Sequence, residues 1–135
     1  MIRLIGKAEI EALKAEALAS PKKRSRIILH TPTDTVTEMV IALHKDSYIQ
    51  PHWHPNPESY HVLEGEMMVN IFYKDGGAKI KVKLDSETPF LRMREWTYHQ
   101  PISLTDFVIY HEVYPGPFDK QRDVHYAAWS VAEAA

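Results

Sequence analysis

Hydrophobic residues first recur along the chain at a helical period and then, for most of its length, at a strand period. In residues 7–19, Ile10, Leu13 and Ala17 recur at helical spacing with Glu and Lys between them, which predicts an amphipathic α-helix. Ser20-Pro21 follows, and because proline disfavours helix at the residue before it, we expect the helix to end there. One short helix is therefore predicted to precede the strands.

The remaining pattern consists of short apolar and β-branched segments separated by turn residues. In Asp75-Gly76-Gly77 the glycines can adopt the positive φ that a tight hairpin needs, and Glu64-Gly65-Glu66 marks another turn. The predicted strands cover residues 27–30, 38–43, 49–54, 59–63, 67–73, 79–84, 90–94, 106–113 and 125–129. Many short strands after one leading helix predict an all-β sandwich or barrel.

Length and composition predict one globular domain. With 135 residues the chain can form one hydrophobic core and is too short for two ordinary ones. No segment approaches the roughly 20 consecutive apolar residues of a membrane span. The charged residues near the first methionine are unlike a secretory signal. We therefore expect no membrane partner.

Charge and cysteine content exclude further classes of partner and site. A formal net charge of -2 argues against nucleic acid as the main partner. The chain has no cysteine, which is consistent with a cytoplasmic location and excludes thiolate metal sites. Any metal would have to be bound through nitrogen and oxygen.

Residues 51–58 carry the strongest functional signal. Alternation along a strand would place His52 and His54 on one face, and a turn containing the two following prolines would bring Glu58 beside them. Two imidazoles and a carboxylate at one point form a site for a divalent transition metal. A His-x-His pair alone arises by chance in roughly half of chains with this histidine content, and would then mark a half-exposed strand edge.

The longer spacing is more specific. From His52 to Gly65 the chain resembles the first cupin motif, Gly-x5-His-x-His-x3,4-Glu-x6-Gly, with Asp46 in place of the opening glycine. The resemblance implies a double-stranded β-helix, also called a jelly-roll barrel, with a metal inside its mouth. The fold class expected is therefore an all-β, single-domain cupin with a short N-terminal helix.

The second cupin motif, Pro-x-Gly-x2-His, is matched only in part. His99 is in place and would supply the fourth ligand, whereas Arg94 and Trp96 replace the usual proline and glycine. The alternative interpretation of His99 is a loop histidine near the rim. Ligands of this kind suit Zn, Fe, Mn or Ni, so the sequence predicts one divalent transition metal without naming it.

Longer stretches resemble the WbuC-type cupin metalloproteins, over roughly residues 20 to 130. The matching residues are Ser20-Pro21, Arg24, His30, Ile41-Ala42-Leu43, the ligand strand, Val62-Leu63-Glu64-Gly65, Glu112-Val113, Gly116-Pro117-Phe118 and Trp129. That family is tied to O-antigen and related surface-polysaccharide (lipopolysaccharide) gene clusters. The resemblance supplies no reaction.

The basic run Lys22 to Arg26 is interpreted as a solvated linker. The predicted organisation is therefore an N-terminal helix and basic linker over residues 1–26 and a cupin β-barrel domain over residues 27–135. Arg24 and His30 match the family before the barrel. Folded over the mouth, they would bind the carboxylate or phosphate of a small anionic ligand.

Two further residues are candidates for catalysis. Tyr60 shares the parity of Glu58 and would line the pocket, either as a catalytic acid or as a buried tyrosine bonded to the backbone. His111 and Glu112 are neighbours on one strand and cannot both face inward. Glu112 fits the family pattern, and its carboxylate would then support a ligand histidine.

Three functions are compatible with these residues. The first is a metal-dependent enzyme that acts on a sugar or sugar-nucleotide in surface-polysaccharide biosynthesis, with the metal as Lewis acid. The second is an iron-dependent oxygenase with the same ligands. The third is a non-catalytic module that binds a metal or metabolite. A homodimer is expected from the resemblance to cupins alone.

Overall fold

The computed structural model describes residues 2–134, which form two five-stranded antiparallel sheets and two helices. The helices are α1 (Lys7–Ala19) and α2 (Lys120–Asp123); the strands are β1 (Arg24–Ile28), β2 (Val36–His44), β3 (His52–Trp53), β4 (Glu58–Glu64), β5 (Met67–Phe72), β6 (Ala78–Leu84), β7 (Phe90–Met93), β8 (Tyr98–Ser103), β9 (Phe107–Pro115) and β10 (His125–Tyr126). The strand orders are β1-β2-β9-β4-β7 and β10-β3-β8-β5-β6. This is the two-sheet jelly-roll barrel with one short leading helix that the sequence predicts.

Helix α1 has the bounds that its apolar spacing predicts. The Glu9 carboxylate accepts a hydrogen bond of 3.0 Å from the Gly6 backbone N–H, which satisfies one of the free donors at the helix start. Leu13 and Ala17 are buried in a cluster with residues on the outer face of β2 and β9. Neither helix among the described residues is long and apolar enough to cross a membrane.

Strand β2 is buried on both faces because it lies between α1 and the barrel interior. Val40 and Ala42 pack in the cluster under the helix, whereas Ile41 and Leu43 belong to the main core. The main core fills the space between the two sheets and contains Ile41, Leu43, Tyr60, Val62, Met67, Val69, Ile71, Leu84, Met93, Val108 and Tyr110. Tyr60 and Val62 therefore face inward, as their parity with Glu58 predicts.

The prediction of a solvated linker over residues 22–26 is wrong at residues 24–26. Arg24, Ser25 and Arg26 pair with Leu43, Ala42 and Ile41 of β2 as the first half of β1. Basic residues are common on an edge strand, since their backbone pairs on one side while long side chains extend to solvent. The predicted division of the chain after residue 26 falls within this strand.

Strand β8 is absent from the predicted set of strands. It lies between β3 and β5, where His99 pairs with His52 on one side and with Ile71 on the other. The strand contains Gln100 and Pro101, which are uncommon in a central strand. Its sequence therefore lacks the clear alternation of apolar and polar residues by which the other strands were predicted. His99 therefore projects from a strand of the barrel and not from a rim loop.

Two of the predicted turns need their glycines. Gly65, between β4 and β5, has a φ of 80°, and Gly76, in the β5–β6 hairpin, has a φ of 97°. Both values lie in the left-handed region that costs glycine no steric clash. Asp46, which replaces the opening glycine of the motif, does not have a positive φ. Among the described residues, the non-glycine residues with a positive φ are Lys23 and Trp96. The substitution of Asp for Gly at position 46 therefore causes no backbone strain.

Candidate metal centre

Three histidine rings converge inside the barrel. His52 and His99 are opposite each other on the paired strands β3 and β8, and His54 follows two residues after His52. One ring nitrogen from each of the three lies within 4.8 Å of the others. All three side chains are buried, as the His-x-His alternation and the second motif predict.

Backbone carbonyl groups fix the orientation of all three rings. The carbonyl oxygen can only accept, so each Nδ1 donates, and the proton is fixed on that atom. The three bonds are His52 Nδ1 to Gln50 O at 2.7 Å, His54 Nδ1 to Asp123 O at 2.7 Å and His99 Nδ1 to Thr97 O at 2.8 Å. This arrangement leaves Nε2 as the atom that each ring offers to the centre, which is the usual support of a metal-binding imidazole.

Glu58 brings a carboxylate to the same point. It is the first residue of β4, and its Oε2 lies 2.8 Å from His54 Nε2 while its Oε1 lies 3.6 Å from His99 Nε2. Within the described chain, Glu58 Oε1 and His99 Nε2 are buried without a hydrogen-bond partner. Unpaired buried polar atoms are costly, and a cation between them would satisfy both. The donor set therefore fits a divalent metal ion.

The pKa values of His52 and Glu58 favour the protonation states that a metal requires. Burial, together with the neighbouring imidazoles, lowers the pKa of His52 to about 3, so this ring is neutral near pH 7. Burial alone would raise the pKa of Glu58, but the hydrogen bond from His54 and the nearby imidazole of His99 outweigh it and hold that pKa well below its usual range. The site thus offers a neutral imidazole and an ionised carboxylate.

The pKa of His54 is shifted in the opposite direction to that of His52. Burial would lower the pKa of His54, but its hydrogen bond to Glu58 and the charge of that carboxylate raise it. The Nε2 proton that this bond uses must leave before the same nitrogen can bind a cation.

Tyr60 and Glu112 lie on neighbouring strands beside the histidines. They are paired across β4 and β9, and both line a cavity of about 570 Å³ that also reaches His52. Burial and the charge of Glu58 raise the pKa of Tyr60 and of Glu112 well above their usual values, so Tyr60 keeps its proton near pH 7 and Glu112 keeps its proton to a higher pH than an ordinary carboxyl group.

The predicted support of a ligand histidine by Glu112 is not what the structure contains. Backbone carbonyl oxygens occupy Nδ1 of all three rings, so no Nδ1–H group is left to donate to Glu112. Its neighbour His111 points away, with Nε2 2.8 Å from Glu38 Oε2, so the prediction that only one of the two faces inward is confirmed.

Arg24 and His30 line two different parts of the mouth. Arg24 lines the cavity that contains Tyr60, whereas His30 lines a second cavity of about 570 Å³ with His54 and Glu58. The two cavities share the residues Arg26, Met39, His52, Glu112, Phe118 and Val124. His30 Nδ1 accepts a 2.9 Å bond from the Glu38 N–H, so its ring is held by the backbone of β2.

Asp123 is a structural residue of the site that sequence reasoning missed. Its carbonyl oxygen holds His54, and its buried side chain accepts bonds from the Asp119 N–H at 2.7 Å and the Tyr114 hydroxyl at 3.2 Å. The available signal was the capping sequence at Asp119, whose carboxylate accepts from two N–H groups of α2.

Comparisons with known proteins support the fold. A family model described as a domain of unknown function (DUF6016) matches residues 5–84. A search of curated proteins found no match. Among solved structures, an oxalate oxidase is similar with a TM-score of 0.59 and 14% identity, over 80% of this chain and 57% of that one. A cupin-2 domain protein from Shewanella frigidimarina is similar with a TM-score of 0.55 and 12% identity, over 68% of this chain and 80% of that one.

A third similar structure is the oxalate decarboxylase of Bacillus subtilis, whose description names Mn(II) centres. It has a TM-score of 0.51 and 19% identity, over 73% of this chain and 24% of that one. The chain thus spans about a quarter of this decarboxylase and just over half of the oxalate oxidase. At these identities the similarity concerns the fold, and the predicted cupin fold is confirmed.

Proposed function

The chain belongs to the family described as a domain of unknown function (DUF6016), and we propose that it binds one divalent transition metal through His52, His54, Glu58 and His99. The observation that carries the proposal is the convergence of three imidazoles, each oriented by a backbone carbonyl. The unpaired Glu58 Oε1 and His99 Nε2 supply the second argument.

Nitrogen and oxygen donors suit Zn, Fe, Mn or Ni. Manganese gains support from the similar decarboxylase fold with Mn(II) centres. When bound, an ion with open coordination positions supplies Lewis-acid chemistry, and iron would also support oxygen chemistry.

The residues around the centre support an enzyme that acts on a small anionic molecule. Tyr60 and Glu112 line the cavity next to His52, and we assign them proton transfer at the Tyr60 hydroxyl and the Glu112 carboxyl. Arg24 lines one of the two cavities and His30 lines the other, and we assign both side chains to binding the ligand's negative charge.

The finer assignment rests on the resemblance to WbuC-type cupins. On that basis the substrate would be a sugar or sugar-nucleotide of surface-polysaccharide biosynthesis, and the protein a cytoplasmic homodimer. Light scattering of the purified protein should give twice the mass of one chain; a monomeric mass would contradict the dimer.

Metal analysis of the purified protein tests the proposed centre. We expect about one equivalent of metal in the wild type, and less than a tenth of that in His52→Ala and in His99→Ala, since each loses one of the donors. His111→Ala is the matched control, because this ring pairs with Glu38 on the other face and should leave the metal content unchanged. A wild-type protein that takes up no metal after incubation with Zn, Mn and Fe would overturn the proposal.

Two assays then separate the candidate functions. Bound iron with oxygen consumption would favour the oxygenase, whereas Zn or Mn without oxygen consumption favours the Lewis-acid enzyme. Incubation with a panel of nucleotide-sugars, followed by product analysis, separates an enzyme from a non-catalytic binding module.

A further inference from the structure

The residues after β10 reach the wall of the cavity that contains Tyr60. We call residues 127–134 the closing segment. It runs beside residues 47–51, to which it is joined by Ala127 N–H to Pro51 O at 2.9 Å, Gln50 Nε2 to Ser130 Oγ at 3.0 Å and the Tyr48 hydroxyl to Val131 O at 2.6 Å. These bonds bring Glu133 to the wall of the cavity.

Both carboxylate oxygens of Glu133 are bound by the barrel. Oε2 lies 2.8 Å from Arg24 Nη2 and 3.3 Å from Lys22 Nζ, while Oε1 accepts a 3.0 Å bond from the Gln50 backbone N–H. The side chain is only 16% exposed. We call Lys22, Arg24 and Gln50 the carboxylate cradle, since all three donors lie outside the closing segment.

The cradle is held in place without Glu133. Arg24 Nη1 donates to the Tyr48 carbonyl oxygen at 3.0 Å and to Ser47 Oγ at 3.3 Å, and Ser47 Oγ in turn donates to Lys22 O at 2.6 Å. The guanidinium is thereby fixed with its second nitrogen directed at the anion. A fixed guanidinium beside a backbone N–H is a geometry suited to the two oxygens of a carboxylate.

Gln50 connects the cradle to the histidines. Its N–H binds Glu133 Oε1, and its carbonyl oxygen accepts the bond from His52 Nδ1 at 2.7 Å. The cavity of about 570 Å³ is lined by Arg24 and Glu133 as well as by His52 and Tyr60. A molecule anchored in the cradle by one end would therefore extend toward the proposed metal centre.

We infer that the carboxylate cradle binds the carboxylate group of a small organic ligand, and that Glu133 occupies it as a displaceable internal substitute. The inference deepens the proposed function by naming the class of ligand. It rests on the proposed function only in one respect, namely that the other end of the ligand reaches a metal ion. Entry of the ligand would release the closing segment from the cavity. An internal carboxylate competes at a high effective concentration, so the wild type should bind free carboxylates weakly.

Removal of the internal carboxylate tests the inference with acetate as the probe. We expect Glu133→Ala to bind acetate at least tenfold more tightly than the wild type, measured by NMR titration of the amides around Gln50. Acetamide, which has the same shape without the charge, should show no gain. Glu87→Ala is the matched control, because it removes an exposed glutamate from the turn between β6 and β7 and should leave acetate binding unchanged.

A second substitution ties the gain to the cradle. Addition of Arg24→Gln to Glu133→Ala should abolish the gain, and addition of Lys22→Gln, a milder change at a half-exposed residue, should reduce it. The inference is overturned if Glu133→Ala gains nothing, or if the gain persists without Arg24. A gain for inorganic phosphate and none for acetate would overturn the assignment to carboxylates.

Metal content of the same samples distinguishes this inference from the proposed function. Glu133→Ala should keep the wild-type metal content, because Glu133 lies outside the proposed ligand set. A metal-free protein that still gains acetate affinity contradicts only the proposed function. A metal-loaded protein without the gain contradicts only the cradle.

Discussion

The backbone N–H of Trp96 donates a hydrogen bond of 2.7 Å to the carbonyl oxygen of His54. This bond joins the turn before β8 to the ligand segment after β3, so the two halves of the cupin pattern meet through the backbone. To make it, Trp96 adopts a φ of 61°, in the left-handed region, although its side chain is 66% exposed. The glycine usual at this position of the motif would adopt that conformation without strain.

Trp96→Gly should therefore stabilise the metal-free protein. Removal of the left-handed strain contributes about 1–2 kcal/mol, and the greater freedom of glycine in the unfolded chain costs about 0.5–1 kcal/mol. We expect a net gain of about 0.5–1 kcal/mol in the free energy of unfolding, measured by urea denaturation with a chelator present. Trp96→Ala keeps the strained Cβ and should gain nothing; a Gly variant less stable than the Ala variant would refute this explanation.

Gly65 is the turn position at which substitution should be most costly. A Cβ there would clash with the Phe107 carbonyl oxygen and lie 2.6 Å from Thr105 Oγ1, and the φ of 80° at Gly65 is itself unfavourable for an L-residue. Gly65→Ala should lower the free energy of unfolding by at least about 2 kcal/mol. Gly77→Ala, whose nearest contact would be a side-chain oxygen at 3.2 Å, is the control and should change it by less than about 0.5 kcal/mol. Equal effects of the two would contradict the steric argument.

Attachment of the closing segment should depend on pH. Burial would raise the pKa of Glu133, but the hydrogen bond from the Gln50 N–H and the Arg24 guanidinium outweigh it and lower the pKa from 4.5. A carboxylate with a lowered pKa contributes stability that is complete above the unfolded value of 4.5 and is lost as the pH falls through the folded value. The charged groups that face Glu133 are Lys22 and Arg24, and burial raises the pKa of the nearby Tyr48 phenol, which is therefore uncharged at acidic pH.

Trp129 reports whether the segment is attached. Its indole packs against Phe72, with ring centroids 5.0 Å apart, and donates to the Lys74 carbonyl oxygen at 3.1 Å. Below pH 4.5 we expect the Trp129 emission to shift to longer wavelength, before the barrel unfolds. Glu133→Gln has no charge to lose and should lack this transition, and Trp129→Phe should remove the signal. A transition of unchanged size in Glu133→Gln would assign it to other carboxyl groups.

The convergence of the histidines could be predicted from sequence spacing, because strand parity and motif distances are properties of the local sequence. His52, His54 and Glu58 lie within seven residues, and alternation alone is enough to direct both rings inward. Helix α1 was predicted for the same reason, because the spacing of its apolar residues fits the α-helical repeat and is also a property of the local sequence.

The groups that orient the histidines and Arg24 could not be predicted from the sequence, because they depend on contacts between distant segments. The carbonyl group that orients His54 belongs to Asp123, 69 positions away, and any residue type can supply a carbonyl. Glu133 meets Arg24 across 109 positions through one of many acidic residues in the chain. Arg24 lines the cavity that contains Tyr60, but its pairing with an internal carboxylate has no local signature in the sequence.

Asp123 should stabilise both the fold and the metal centre. Its carboxylate is fully buried and accepts from the Asp119 N–H, the Tyr114 hydroxyl and the Arg122 guanidinium, while its carbonyl oxygen orients His54. Asp123→Ala leaves buried donors unpaired, so we expect a loss of about 2–3 kcal/mol in the free energy of unfolding of the metal-free protein.

Displacement of the Asp123 carbonyl should also weaken metal binding about 10-fold or more, the usual effect of losing a group that orients a ligand. Competition with a chelator measures this affinity, and chemical denaturation measures the stability. Asp119→Ala is the matched control, because it removes the cap of α2 at a cost of about 1 kcal/mol while the buried carboxylate of Asp123 stays in place. If Asp123→Ala lost stability but kept wild-type metal affinity, the Asp123–His54 bond would have no part in orienting the ring.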